Sequence, residues 1–437
     1  MDAGDELDLD VTSVAHGGVF VGRIPDATGS SGRGGRVVFV PDAIPGERVR
    51  IRLTDVGKQS FWRGDVLEVL EPSGHRRPHI WRQADVSVPP HLRPGGADFG
   101  HIELSHQRAL KLEVLTDALR RFGGVEMPGL DIFPAGLRQA QGEGGEGEES
   151  ADGGGWRTRV SLHVDADGYV GPFAARSHSV IAVEEYPLAT AAVADAALRV
   201  AQGRPGRIDL VQPADGRVRV IPRPDAAKSG PREAREVVIE RVGQREFRVD
   251  AGGFWQVHRL AADTLDDAVR RAITDLSAGG TPLDPEAWHL DLYGGVGLFA
   301  AALADLGGPH VTSVESDPRA TEHAGENLAE WVGARAETAR VDRYLSRLVA
   351  DATERERARL SRGVIVLDPP RSGAGGQVVE GVAALGPAAV VYVACDPVAL
   401  ARDVATFRAA GYELSAVSAY DLFPHSHHME AIATFVR

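Results

Sequence analysis

Residues 288–304 (WHLDLYGGVGLFAAALA) decide the fold of this 437-residue chain. A short apolar strand, a turn built on Gly294, Gly295 and Gly297, and an alanine-rich helix follow one another without a break. Glycines there let backbone approach a ligand, and the free amides of the helix start supply donors. The same rhythm continues downstream. Strand-like WHLDLY, HVTSVES, GVIVLDPP, AAVVYVAC and YELSAVSAY are separated by helical stretches such as PRATEHAGENLAEWVG and VALARDVATFRAAG. Apolar strands between amphipathic helices predict an α/β fold, a doubly wound Rossmann-like parallel sheet covered on both faces. Ligands of such sheets bind beyond the carboxyl ends of the strands. Every unusual residue of this half sits at such an end.

Glu315 closes the strand after the glycine turn, where it can accept hydrogen bonds from ribose hydroxyls. Gly295, Gly297 and Ala300, with that acid about twenty residues on, fit a dinucleotide fingerprint. They fit the glycine loop of an S-adenosylmethionine methyltransferase equally well. The sole cysteine, Cys395, directly follows a buried strand and precedes Asp396-Pro397. A free cysteine is usually a small buried hydrophobe, but one in a turn on the ligand side can be exposed and activated. Asp368-Pro369-Pro370-Arg371 resembles the Asp/Asn-Pro-Pro-aromatic motif of amino-methyltransferases, with Arg371 in place of the aromatic. His425, His427 and His428 cluster near the C-terminus, yet their spacing matches no helical ligand pair, so no metal is expected.

Upstream, residues 8–70 alternate apolar and polar residues in short bursts broken by Gly, Pro and Asp, which predicts a small antiparallel barrel. Such barrels bind single-stranded RNA through exposed aromatics and basic residues, and Phe20, Phe39, Phe61 and Trp62 are candidates here. Between 75 and 250 the pattern is mixed. Residues 105–122 predict an amphipathic helix, residues 141–155 a disordered loop, and TRVSLHV, GYVGPFA, SVIAVEEYP, RIDLVQP, RVRVIPR and REFRVD predict strands. The domains expected are a barrel over 1–74, a central α+β RNA-binding domain over 75–250 and a catalytic domain over 251–437.

A single cysteine excludes an intramolecular disulfide framework and any four-cysteine metal or iron–sulfur site. No run of apolar residues is long enough to span a membrane, and the acidic N-terminus lacks the core of a signal peptide, so a cytoplasmic location is expected. The net charge of −14 argues against a nucleic-acid partner only weakly. Five of the acids lie in 141–155, and Lys58, Lys111 and Lys228 are the only lysines, so arginine supplies the rest of the 48 basic residues.

Taken together, Phe254-Trp255-Gln256-Val257, the 291–297 glycine turn, Leu367–Arg371, Ala394–Pro397 and His427–Glu430 resemble the RNA 5-methyluridine methyltransferase family, whose members modify tRNA or rRNA. Order and spacing match over roughly 250–437, and residues 8–70 look like the TRAM domain that many members carry. The resemblance implies S-adenosylmethionine as cofactor, a structured RNA substrate and a monomer. Cys395 resembles the nucleophile and Glu430 the general base. Gln256, Tyr293, Glu315 and Asp368 resemble the cofactor-binding set, with Asp342 as a further member. Many relatives hold an iron–sulfur cluster on four cysteines, three of them just after the barrel. Here 79–106 has none, so no cluster is expected. Leu298 stands where some relatives place a polar cofactor contact, and His258 where many have Asn.

The chemistry explains why these two residues are needed. Uracil C5 is a poor nucleophile until a thiolate adds at C6 and gives C5 enolate character. After methylation a base must take the C5 proton before the thiolate can leave. The uridine must be unstacked to expose C6. RNA 5-methylcytosine formation is an alternative, but those enzymes usually use two cysteines. An NAD-dependent oxidoreductase on the same glycine loop would leave Cys395, Glu430 and the barrel without a role.

Overall fold

A computed structural model describes residues 1–24, 35–136, 150–200, 202–225 and 236–437. Five strands, β1 (Glu6–Ala15), β2 (Val19–Ile24), β3 (Arg36–Val40), β4 (Arg48–Asp55) and β5 (Phe61–Glu71), close into a barrel in the order β1-β2-β3-β5-β4. Period-2 alternation sets its inside and outside. Val49, Ile51 and Leu53 of β4 point into the core, while Arg50 and Arg52 point out and pair with Asp8 and Glu6 of β1. The barrel is not wholly antiparallel as the alternation predicts, because β3 and β5 run parallel. Phe20 is buried in the core. Phe39, Phe61 and Trp62 lie half-exposed instead, with Lys58 over Phe61 and Arg36 over Trp62.

The segment after the barrel carries little regular structure until α1 (Leu104–Ala118). It is fastened by Arg93, whose guanidinium donates to the carbonyls of Val66, Val86 and Val88 and to Asp42. Trp81, Ala97 and Tyr186 fill the space beside it as part of one apolar cluster. The strand β6 (Ile132–Pro134) follows. A four-stranded sheet comes next, from β7 (Arg159–Val164), β8 (Val170–Gly171), β9 (Gly206–Val211) and β10 (Arg219–Pro224), with α2 (Ala191–Arg199) against it. SVIAVEEYP is no strand; only Val180 makes a bridge, to Phe173. The hairpin of β11 (Val237–Val242) and β12 (Arg245–Asp250) leads to α3 (Ala261–Ala278).

From there strand and helix alternate as the sequence predicts: β13 (His289–Leu292), α4 (Leu298–Asp305), β14 (Val311–Glu315), α5 (Pro318–Asn327), β15 (Arg335–Thr338), α6 (Val341–Asp351), α7 (Glu354–Leu360), β16 (Val364–Leu367), α8 (Gly376–Leu385), β17 (Ala389–Ala394), α9 (Pro397–Ala409), β18 (Glu413–Asp421) and β19 (Glu430–Val436). The sheet order is β15-β14-β13-β16-β17-β19-β18-β6. Neighbours from β15 to β17 are parallel, whereas β19 slots antiparallel between β17 and β18. The helices α3 and α4 cover one face, and α1, α6, α8 and α9 cover the other. Thus α1 and β6, which the sequence assigns to the central domain, are built into this C-terminal layer. Residues 141–149 of the expected disordered loop lie outside the described residues. Residues 150–155 are tied down: Gly155 N donates to Pro187 O, and His425 Nε2 donates to Asp152 O. Among the described residues no helix is long and apolar enough to cross a membrane.

Candidate active site

The chain leaves β13 through a tight turn that begins in the left-handed region. Tyr293 adopts φ 64°, a left-handed conformation rare outside glycine and costly by about 1–3 kcal/mol. A Cβ on Gly294 would lie 2.0 Å from Ser313 Oγ and 2.6 Å from Asp291 Oδ2, so no larger residue fits. Asp291 holds this turn from beneath, its Oδ2 accepting from Ala300 N and from the Ser313 hydroxyl. Burial pushes its carboxyl up to about 7. Glu315, at the end of β14, accepts from Gly295 N through Oε2 and from Asp317 N through Oε1. It therefore faces the turn across the cleft between two strand ends.

Beyond these ends opens a cavity of about 530 Å3. Gln256, Tyr293, Glu315, Asp368, Cys395 and Glu430 all line it. Residues as far apart in the chain as Gln256 and Glu430 thus converge, and the register of the sheet explains the tightest pair. Ala394 of β17 lies opposite Ala431 of β19, which puts Cys395 across from Glu430 at the open end of that ladder. The loop carrying Asp368 and Arg371 is fastened by Asp403, which accepts from Ala374 N, Gly375 N and the Tyr392 hydroxyl.

Acidic groups crowd this space. Glu430 is 5% exposed, and its Oε2 has no hydrogen-bond partner among the described residues. Burial, reinforced by Asp368 and opposed by Arg371, pushes its carboxyl well above the ordinary range. Asp368 is pushed up to about 7 by burial and then by Asp291. The Cys395 thiol is pushed up to about 12, first by burial and then by Glu430 and Asp368, with Arg371 pulling the other way. Arg371, noticed in the sequence only for the aromatic it lacks, is the cation that opposes the rise of both Cys395 and Glu430.

A second cavity of about 150 Å3 meets the first at Cys395 and Arg371. Its far wall is the turn between β1 and β2, so the barrel touches the reaction centre directly. No sequence pattern signals this contact, because it joins residues hundreds of positions apart. His427 and His428 line it too. His427 Nδ1 lies 2.7 Å from Asp98 Oδ2, and His425 Nδ1 accepts from Gln107. His428 is held neutral, down to about 3, by burial and by His427.

Comparison with known proteins agrees with this architecture. Residues 3–67 match the TRAM domain, and residues 286–436 match the tRNA (uracil-5-)-methyltransferase family. An RNA methyltransferase of Streptomyces avermitilis, itself uncharacterized, is 36% identical over 98% of both chains. The chain belongs to the RNA (uracil-5-)-methyltransferase family. A 23S rRNA (uracil(1939)-C(5))-methyltransferase of Halomonas elongata is 29% identical, covering 98% of this chain and 90% of that one. In fold, the methyltransferase matches the crystal structure of Pyrococcus abyssi tRNA (uracil-54, C5)-methyltransferase with a TM-score of 0.65 and 19% identity, over 98% of this chain and all of the other.

The methyltransferase is S-adenosylmethionine-dependent, and the larger cavity suits that molecule. Its volume lies within the range of small-molecule sites. A glycine turn offers close backbone approach, carboxylates stand at the ends of β14 and β16, and Leu298, Phe299 and Phe254 add apolar surface. Leu298 meets the cavity as a buried aliphatic wall, so the departure there exchanges a polar contact for an apolar one. His258 does not line it. That imidazole stacks on Trp156, accepts from Leu260 N through Nδ1 and is held down at about 4 by burial. Asp342 also lies outside the lining and pairs with Arg340.

Proposed function

We propose that the methyltransferase modifies uridine C5 through a covalent adduct in which Cys395 bonds to C6 and Glu430 removes the C5 proton. The observation that carries this reading is the pairing of Cys395 with a buried, unpartnered carboxylate oxygen of Glu430 in one cavity. In the resting site burial keeps the thiol protonated. Its proton passes to solvent as the S–C6 bond forms and the C5=C6 double bond becomes an enolate, with Arg371 as the counter-charge. S-adenosylmethionine would supply the methyl group to C5 and leave as the neutral thioether, and its positive sulfonium would favour the ionised form of the acidic groups that burial otherwise holds protonated, Glu430 among them. Ionised Glu430 then accepts the C5 proton, the C5=C6 bond re-forms as the S–C6 bond breaks, and the expelled Cys395 thiolate takes up a proton to return to its starting state.

Gln256, Tyr293, Glu315 and Asp368 are proposed to bind the cofactor, Glu315 through the ribose hydroxyls. The substrate is a uridine unstacked from a structured tRNA or rRNA in the cytoplasm, and a monomer suffices, because one chain carries both reacting groups. Residues 1–74 and 75–250 are proposed to grip that RNA while 251–437 carries out the transfer. Incubating purified protein with labelled S-adenosylmethionine and total RNA, then digesting to nucleosides, tests the reading. Label is expected in 5-methyluridine, and sequencing the labelled RNA separates tRNA from rRNA. Label in 5-methylcytidine would overturn the assignment.

A further inference from the structure

The central sheet encloses a cavity that the reaction above does not use. It measures about 390 Å3 and lies between β7 and the 172–177 turn, with Trp81, Tyr186 and Leu188 as its floor. Three features point to a planar, anionic occupant. Phe173 stacks on His163 with centroids 3.5 Å apart and planes 11° from parallel, which offers an aromatic platform at the cavity wall. Arg157 is half-buried there with no ion-pair partner among the described residues, and its Nε donates to Arg159 O. Burying a guanidinium without an anion is costly, so a site that keeps one is built for a negative group. Trp81, 5% exposed, adds an apolar indole surface to the lining.

Position relates this cavity to the reaction centre. Arg157 forms part of its wall, and the Arg157–Thr158 backbone pairs with the segment after Gln256: Thr158 N donates to Val257 O, and Arg157 bridges to His258. Val257 lines the catalytic cavity. The two cavities therefore share a single layer of backbone. Arg176, at the rim, holds a left-handed φ of 57° and adds a second cation. The turn that carries it is pinned by Gly95 N donating to Phe173 O and by Ala175 N donating to Arg93 O.

We infer that this cavity receives an unstacked nucleotide of the substrate RNA next to the target uridine, its base against Phe173 and His163 and its phosphate on Arg157 and Arg176. The inference rests on the RNA-modifying role of the methyltransferase. A nucleotide supplies what the lining lacks: a π-face for the aromatic pair and an anion for the guanidinium.

The test uses full-length protein and a fluorescent RNA stem-loop with an all-uridine loop, read by anisotropy over a range of salt. Phe173→Ala should weaken RNA binding roughly tenfold through the lost stack. Arg176→Ala, at an exposed position that tolerates change, should lower the salt slope by about one counterion. Arg157→Gln should do the same, with its melting curve checked against wild type. Calorimetric S-adenosylmethionine binding should be unaltered in Phe173→Ala and Arg176→Ala. Wild-type RNA binding with unchanged affinity and salt slope in Phe173→Ala and Arg176→Ala would overturn the inference. Wild-type protein that binds S-adenosylmethionine but no RNA would instead overturn the role on which it rests.

Discussion

His16 Nε2 donates to Asp396 Oδ2 at 2.8 Å, joining a barrel turn to the residue that follows the only cysteine. Asp396 is also the N-cap of α9 and accepts from Val398 N and Ala399 N. Burial works against its carboxylate, yet His16 and those amides hold it below the ordinary value. On the other side of the same turn, a Cβ on Gly18 would meet His427 Nδ1 at 2.8 Å. The barrel thus abuts both chain segments that carry the reacting groups.

Loss of the His16 contact should loosen that seam without dismantling the cofactor cavity. His16→Ala should raise KM for RNA by roughly two- to fivefold, the effect of an exposed pair, and leave S-adenosylmethionine affinity alone. His16→Gln, which keeps a donor, should recover part of the loss. Asp396→Ala should behave worse, because it also removes the cap of α9, costing about 1 kcal/mol of stability. Steady-state kinetics and thermal melts of the three variants check this.

Arg93 fastens the segment after the barrel to the barrel itself. Its side chain is 4% exposed and joins Asp42 of the barrel to three carbonyls. Arg93→Ala would strand a buried carboxylate and should cost about 3–5 kcal/mol. Limited proteolysis should then cut between the barrel and α1, where wild type resists. Purified wild type should hold iron at background level by metal analysis.

Where the sequence was legible, local pattern and final role coincided. The apolar strands β13, β14, β16 and β17 are buried on both faces, and so they read as continuous apolar runs. The edge strand β15, RAET, is half-exposed and polar and left no such trace. Residues 179–187 look like a strand by composition, yet they make one bridge, from Val180 to Phe173, beside the Phe173 cavity. Gln256, Tyr293, Glu315, Asp368, Cys395 and Glu430 carried motif signals and meet in one cavity. His16 and Asp98 carried none, and Arg371 stood out only for the aromatic it lacks, because charge balance at Cys395 and the barrel seam exist only after folding.

The acidity of the site predicts pH-dependent cofactor binding. Asp368 and Asp291 sit at about 7 in the folded protein, against about 3.9 for an unfolded aspartate. Between those values the native state binds more protons, so their contribution to stability is present at low pH and is lost as pH rises through about 7. Ionised Asp368 attracts a sulfonium, so S-adenosylmethionine affinity should rise from about pH 6 to about pH 8 with release of a proton. The uncharged thioether product should show a shallower rise. Calorimetry in buffers of differing ionisation enthalpy reads the proton directly. An unchanged slope in Asp368→Asn would move the coupling to Asp291 or Glu430.

The division of labour between Cys395 and Glu430 gives the sharpest expectation. Cys395→Ala should abolish methylation and any covalent RNA complex, because the chain holds no other thiol to take over. Glu430→Gln should leave attack and methyl transfer possible while removing the acceptor for the C5 proton. The methylated adduct should then accumulate and appear on a denaturing gel, with RNA and S-adenosylmethionine present, as a slow-migrating protein–RNA band. Glutamine is close in size to the buried glutamate, so the band would report lost proton transfer more than lost packing. RNA carrying 5-fluorouridine should trap the wild type in the same way, since fluorine at C5 cannot leave as a proton, whereas 5-fluorocytidine RNA should not. Methylation by Cys395→Ala would refute the covalent route. Normal turnover by Glu430→Gln would pass the base to another group, with His428, held neutral and lining the adjoining cavity, the first to examine.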